Sequence, residues 1–417
     1  MKVLSLWTAL LALYSLSSAD EQVNGSLESY ISDSKQQQFE YSYEKNEAES
    51  SKLRDSWISP FMFNYSFSKN KQEDEAYIGQ AGVVPALDNE WDQQSASVTW
   101  TQPIFQSGGI YYGIKYATAS GEYANYSVDV TKRKLIKDAI SILMQIRQSD
   151  LRIKRQNLQI RNAEIALEQK KEQYLNGQLD SSFLDNAILD RNKVIQALYD
   201  IETSKERLIS KFEALSDKDY KKAAVPKLGE ISKKEFLENN IVLKMSDSEL
   251  EKNRYFKDVT IAKYLPKVNF SAGYTWNDET IMFGTFNRPE NRSYNYGIKA
   301  SIPLDINTFD DISSSKVDYL KSKVVLEDKK RELGALYDQV VQNVDNLAKK
   351  INLSIENKFI YKKLVDETRE LFKAGYKTEY DVELLDNSYK MSEIDSKIYE
   401  IDKQLELLTL YEMYKKD

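Results

Sequence analysis

The chain has neither histidine nor cysteine among its 417 residues. The commonest general base, the commonest transition-metal ligand and the thiol nucleophile are therefore all missing. An enzyme using only carboxylates remains possible, but the composition favours a protein that is not an enzyme. Acids do gather at one spacing: Glu379, Asp381 and Glu383 follow Gly375 in the run Gly375-Tyr-Lys-Thr-Glu-Tyr-Asp-Val-Glu-Leu-Leu-Asp. At the start of a helix such acids offset the macrodipole and cap free amides, so spacing alone gives them a structural role. A formal net charge of -7 argues against nucleic acid, which needs a basic footprint. Without thiols there is no disulfide and no thiolate metal site, and nothing in the composition asks for a cofactor.

The N-terminus bears on the compartment. Lys2 precedes an apolar run from Val3 to Leu16, followed by Ser17-Ser18-Ala19. This order of charged, apolar and small residues is that of a secretory signal peptide over residues 1–19, with cleavage after Ala19. The alternative, an uncleaved anchor, is disfavoured because the run is too short to span a bilayer as a helix.

Four later segments alternate between apolar and polar residues, the period of a strand with two unlike faces. Phe61, Phe63, Tyr65 and Phe67 alternate with Met62, Asn64, Ser66 and Ser68. The others place Val98 and Trp100, then Phe270, Tyr274 and Trp276, then Tyr294, Tyr296 and Ile298 on their apolar faces. Strands are expected at about 57–68, 95–105, 266–276 and 294–304. A soluble sandwich would turn the apolar face to a core; a membrane barrel would turn it to lipid and line a wet lumen with the polar face. The export signal and the aromatic content favour the barrel. Residues 69–94 and 277–293 then read as solvated loops joining strands in pairs.

The landmarks recur. Pro60 and Pro266, Pro103 and Pro303, and Gly177 and Gly375 are each separated by about 200 residues, which points to an internal duplication. The unit is strand, strand, helix, turn, helix. Helices are expected over about 109–173, 180–216, 311–373 and 379–414, where no proline falls. Ala139, Ile146, Ile153, Ile160 and Leu167 recur every seven residues, as do Val194, Ile201 and Leu208, a repeat that means coiled-coil packing. A second stripe, Leu151, Leu158 and Ile165, lies well round the first helix, so that helix can touch a neighbour on each side. The domain reading is a first repeat over 20–216, a joining segment over 217–263 and a second repeat over 264–417. Four strands cannot close a membrane barrel, because open edges carry unpaired backbone groups. The chain is therefore expected to assemble with copies of itself.

The run Gln102-Pro-Ile-Phe-Gln-Ser-Gly-Gly, the run Tyr264-Leu-Pro-Lys-Val-Asn-Phe-Ser-Ala-Gly-Tyr and the two glycine turns resemble the TolC-like outer-membrane efflux proteins. The resemblance covers about Ser26 to Tyr414. It implies an α+β membrane protein: a homotrimer with a 12-stranded β-barrel, four strands per chain, continued by a 12-helix periplasmic α-barrel of coiled-coil helices. It further implies a passive exit duct of a tripartite efflux pump or type I secretion system in the bacterial outer membrane, in contact with its lipid. The partners implied are a periplasmic adaptor (membrane fusion) protein and an inner-membrane pump of RND, ABC or MFS type. The alternatives are a periplasmic adaptor and a surface coiled-coil protein.

The same resemblance implies a gate near Gly177 and Gly375. Asp381 falls on the family's acidic ring position, while its second acid is replaced by Leu384, leaving Glu383 as the neighbouring substitute. Lys377 matches the basic residue of a tip link. Its acidic partner position is occupied by Phe183, so Asp180 or Asp185 would take that role. Which cargo passes is not legible in these residues.

Overall fold

The computed structural model describes residues 27–74, 76–79, 82–84, 87–281 and 290–415. The expected signal peptide lies outside the described residues, as does part of the second expected loop. In chain order the elements are α1 (Asp33–Arg54), β1 (Met62–Asp74), β2 (Tyr77–Gly79), β3 (Gly82–Val84) and β4 (Leu87–Phe105). Next come α2 (Gly109–Leu175), α3 (Ser181–Leu215), α4 (Lys233–Glu238) and α5 (Ile241–Lys263). The chain continues with β5 (Lys267–Ile281), β6 (Asn291–Ser301), α6 (Thr308–Lys373) and α7 (Glu379–Tyr411). They belong to two compact units that do not coincide with the two sequence repeats. One comprises residues up to Tyr43, Asn125–Met245 and Glu327 onward; the other comprises Glu44–Ala124 and Ser246–Leu326. Each unit draws on both halves of the chain.

The second of these units holds an antiparallel sheet in the order β1-β4-β5-β6. Its registers line up the alternation seen in sequence. Phe63, Val98, Tyr274 and Tyr294 are consecutive partners across all four strands, and all four are exposed. The adjacent row is Asn64, Ser97, Thr275 and Ser293. A sheet with an apolar row in solvent needs lipid or protein on that face. β1 and β6 are its edges, each with a single partner among the described residues.

Two strand expectations need correction. The first strand begins at Met62, not near 57, because side chains take the preceding backbone groups. Ser59 N–H donates to Gln102 Oε1 at 3.0 Å, Trp100 Nε1 donates to the Ser59 carbonyl at 3.1 Å, and Gln102 Nε2 donates to the Trp57 carbonyl at 3.0 Å. Pro60 has no N–H to offer a ladder. Trp100 also stacks on Phe61 at 5.0 Å between ring centroids, fixing where the strand starts. The stretch 69–94 is largely strand rather than loop: Lys69–Asp74 pairs residue by residue with Asp92–Leu87, and β2 pairs with β3 beyond it. Nothing in that stretch alternates, because backbone pairing sets the hairpin there without an apolar face to bury.

In the other unit α2 has neighbours on two sides. Towards α3, Gln156 Nε2 donates to the Val194 carbonyl at 2.8 Å and Lys205 pairs with Asp150 at 2.8 Å. Towards α7, Gln148 Nε2 donates to Asp402 Oδ1 at 2.6 Å. α7 in turn meets α6 through Lys358 and Glu393 at 3.3 Å and through Asn343 and Glu406 at 3.2 Å. The contacts therefore order the helices α3, α2, α7, α6. Ile140, Leu143 and Met144 of α2, Phe212 of α3 and Leu408 and Leu410 of α7 are buried. After α7, Ile241 N–H donates to the Met413 carbonyl and Lys415 N–H to that of Asn239, both within 3.0 Å, so the tail is pinned at the start of α5.

Candidate functional site at the helical turns

Both long hairpins turn in the same way. Gln178 N–H donates to the Gln173 carbonyl and Gly177 N–H to that of Tyr174; Tyr376 N–H donates to Leu371 and Gly375 N–H to Phe372, all at 2.9 Å. This is the Schellman closure, which needs a residue in the left-handed region. Gly177 has φ 68° and Gly375 φ 81°. A Cβ at either would meet nothing within 4 Å, so glycine is there for its backbone conformation and not for space.

The helices that follow open differently. Asp180 caps α3 by accepting from Ser182 N–H at 2.8 Å and from the Ser182 hydroxyl. Those bonds hold its carboxyl below the usual carboxylate range. Thr378 and Asp381 form a reciprocal capping box at the start of α7: Asp381 N–H donates to Thr378 Oγ1 at 3.2 Å, and Thr378 N–H donates to Asp381 Oδ2 at 2.9 Å. The Thr378 backbone bond holds the Asp381 carboxyl below the usual carboxylate range, with the Thr378 hydroxyl and Lys377 adding to it.

Glu383 sits in a second arrangement. Arg161 of α2 holds it with both ends of the fork, Nε to Oε1 at 2.7 Å and Nη2 to Oε2 at 3.0 Å. That bond lowers the Glu383 carboxyl and raises the guanidinium in return. Glu164 and Glu168 approach the same arginine at 3.5 and 3.8 Å, and Glu168 accepts from the Tyr380 hydroxyl. Lys377 and Asp185 are exposed, and within the chain neither Asp180 nor Asp185 bonds to Lys377. The expected tip pair is thus not closed inside one chain, and Glu383 is matched by a cation rather than left as a second free acid.

Arg161 was not legible from the apolar repeat. Neither were the contacts that continue its line along α2 and α7. Arg155 Nε lies 2.8 Å from Asp395 as an ion pair, and Asn387 Nδ2 donates to Asn162 Oδ1 at 2.8 Å. With Gln148 and Asp402, the α2 members Gln148, Arg155 and Asn162 recur every seven residues. A polar heptad was the available signal. Among the described residues no cluster of acids is placed to hold a metal ion, and no helix is long and apolar enough to cross a membrane.

Residues 234–395 match the outer membrane efflux protein family. The matched segment is similar to an outer membrane efflux protein domain. The domain takes in Gly375, Lys377, Asp381 and Glu383, while Gly177, Asp180 and Asp185 precede it. No curated protein sequence matches the chain. Several solved structures do share its fold. The outer membrane channel CmeC of Campylobacter jejuni superposes with a TM-score of 0.69 at 12% identity, covering 95% of this chain and 87% of that one. The outer membrane protein VceC of Vibrio cholerae gives 0.67 at 15% identity, covering 95% and 97%. The open state of the MtrE outer membrane channel of Neisseria gonorrhoeae gives 0.63 at 12% identity, covering 93% and 87%. The fold shared with these outer membrane proteins therefore extends over nearly the whole chain, well beyond the matched segment.

Proposed function

We propose that the chain is an outer-membrane channel, the passive exit duct of a tripartite efflux pump or type I secretion system. It carries small toxic molecules or proteins onward from an inner-membrane transporter and catalyses no reaction. The observation that carries this reading is the four-stranded sheet with an exposed apolar row, a polar row beside it and two open edges. Such a sheet is stable in a bilayer only when copies close it into a barrel. Three copies give twelve strands and twelve long helices, with the barrel in the outer membrane and the helices in the periplasm. A periplasmic adaptor and a pump of RND, ABC or MFS type supply cargo and energy. Segment 217–263, with α4 and α5, surrounds the helical part.

The entrance lies at the two glycine turns. Asp381 contributes its ionised carboxylate there, and Lys377, Asp180 and Asp185 stand exposed or nearly so beside it. The α2 to α7 line of Arg161, Arg155 and Gln148 holds the second hairpin against the first, so releasing it opens the entrance. A periplasmic adaptor is disfavoured because this chain has two hairpins and paired strands. The test is extraction of outer membranes: heat-sensitive trimers that conduct in planar bilayers support the duct, and a soluble periplasmic monomer would exclude it.

A further inference from the structure

The four helices α3, α2, α7 and α6 stand in a row whose two ends, α3 and α6, have no further long helix beside them among the described residues. Those open sides are unlike ordinary solvent faces. On α6, Leu353 is 58% exposed and Ile360 50%; Lys349, one turn before Leu353, and Glu356, between the two, are exposed too. On α3, Lys193, Ala197 and Asp200 lie in the same stretch of helix, with both charged residues exposed. The lysines have only weak local partners: Lys349 reaches Asp345 one turn back, and Lys193 reaches Asp190. Pairs of this kind, mostly exposed, exchange at little cost.

The duplication specifies how these sides would meet. α6 repeats α2, and α3 is repeated by α7, with the glycine turns as common origin. The contact of α2 with α7 inside one chain is therefore a template for α6 with α3 of another. Gln148 with Asp402 becomes Asn346 with Ser204. Arg155 with Asp395 becomes Leu353 with Ala197. The positions next to these then oppose Lys349 to Asp200 and Glu356 to Lys193, two consecutive layers of opposite charge. Neither layer brings like charges together. Other registers of helices this rich in Lys and Glu would set like charges against each other in some layers.

We propose that α6 of one copy docks antiparallel on α3 of a second copy in this register, with Leu353 against Ala197 and the pairs Lys349 with Asp200 and Glu356 with Lys193 on either side. The proposal rests on the reading of the chain as a self-assembling channel and adds the surface and the alignment. It also gives the ring two kinds of junction. The junction within each chain has Arg155 facing Asp395 where the junction between copies has Leu353 facing Ala197, and Gln148 facing Asp402 where it has Asn346 facing Ser204.

The absence of cysteine makes the test direct. An Ala197→Cys/Leu353→Cys double variant, oxidised in isolated outer membranes, should give a covalent ladder ending at three chains on denaturing gels, with neither single variant doing so. Lys193→Glu should lower the temperature at which the native oligomer dissociates, and adding Glu356→Lys should restore it. A heat-sensitive oligomer with no ladder from that pair, or a ladder from Lys193→Cys/Lys349→Cys in its place, overturns the register while leaving the channel reading intact. Failure of the unmodified chain to form any oligomer would remove the channel reading itself.

Discussion

Replacing Glu383 by glutamine removes one charge from the bidentate contact that joins α2 to α7 nearest the turns. The side chains of Arg161 and Glu383 are 38% and 34% exposed, so solvent screens them and the full strength of a buried pair does not apply. A forked, partly exposed pair contributes about 0.5 to 1 kcal/mol. Glu164 and Glu168 remain near Arg161 and keep the loss at the lower end. Per chain this is a shift of about two- to fivefold in the ratio of released to held hairpin. If three copies act together, the entrance opens about ten- to a hundredfold more often. Single-channel recording in planar bilayers measures it as open time at unchanged ion selectivity. The decisive comparison is the cycle of Arg161→Met, Glu383→Gln and the double variant. A double variant no more open than either single one is expected, because both break one contact. Fully additive effects, or no effect in channels that insert normally, would refute the idea that this pair holds the entrance.

Acid should mimic that substitution. Glu383 has a lowered folded-state pKa, so its contribution is complete above the ordinary glutamate value of about 4.3 and is lost as pH falls through the lower folded value; open time should rise only below about pH 4. Asp381→Asn should reduce cation selectivity, whereas Thr378→Ala, which removes only the cap, should cost about 1 kcal/mol of helix stability and leave selectivity unchanged. Gly375→Ala forces a Cβ into a left-handed backbone at φ 81° with no clash to relieve, so thermal unfolding should register about 1 to 2 kcal/mol. Phe212→Ala empties a fully buried site and should cost about 3 to 5 kcal/mol, seen as loss of assembled oligomer from the membrane.

The long helices were legible because their apolar residues keep one period over many turns, and glycine marks their ends. α3 runs Ser181–Leu215 against an expected 180–216, and α6 runs Thr308–Lys373 against 311–373. The sheet was legible where one face is apolar, as at Phe63 and Tyr294, and illegible at Lys69–Asp74, where neither face is selected. At the site, the capping role of Asp381 followed from its place at the start of a helix, while its reciprocal partner Thr378 was seen only in the structure. The partner of Glu383 did not. Arg161 is more than 200 positions away, and an ion pair across helices leaves no trace in local spacing. The compact units were equally hidden, because α2 and α6 each contribute to both and no composition break marks the change.

The repeat preserves backbone and alters chemistry, and the alteration has a consequence for opening. Both turns close by the same pair of bonds, yet one is followed by Asp180 alone and the other by the Thr378 and Asp381 box. Along the helices, Arg155 and Gln148 of α2 stand where α6 has Leu353 and Asn346. If the two copies had stayed identical, every junction between hairpins in a closed ring would be equally strong, and no line of weakness would exist. Both classes of junction then carry ionic contacts that salt weakens, and they differ in where those contacts fall: Arg155 faces Asp395 within each chain, where the proposed junction between copies has Leu353 facing Ala197. Arg161 with Glu383 and Arg155 with Asp395 belong to the junction within each chain, so the Arg161 and Glu383 variants probe that junction alone. On the proposed assembly, divergence between the repeats makes the junction within each chain unlike the junction between copies, so the two respond differently to the same substitution.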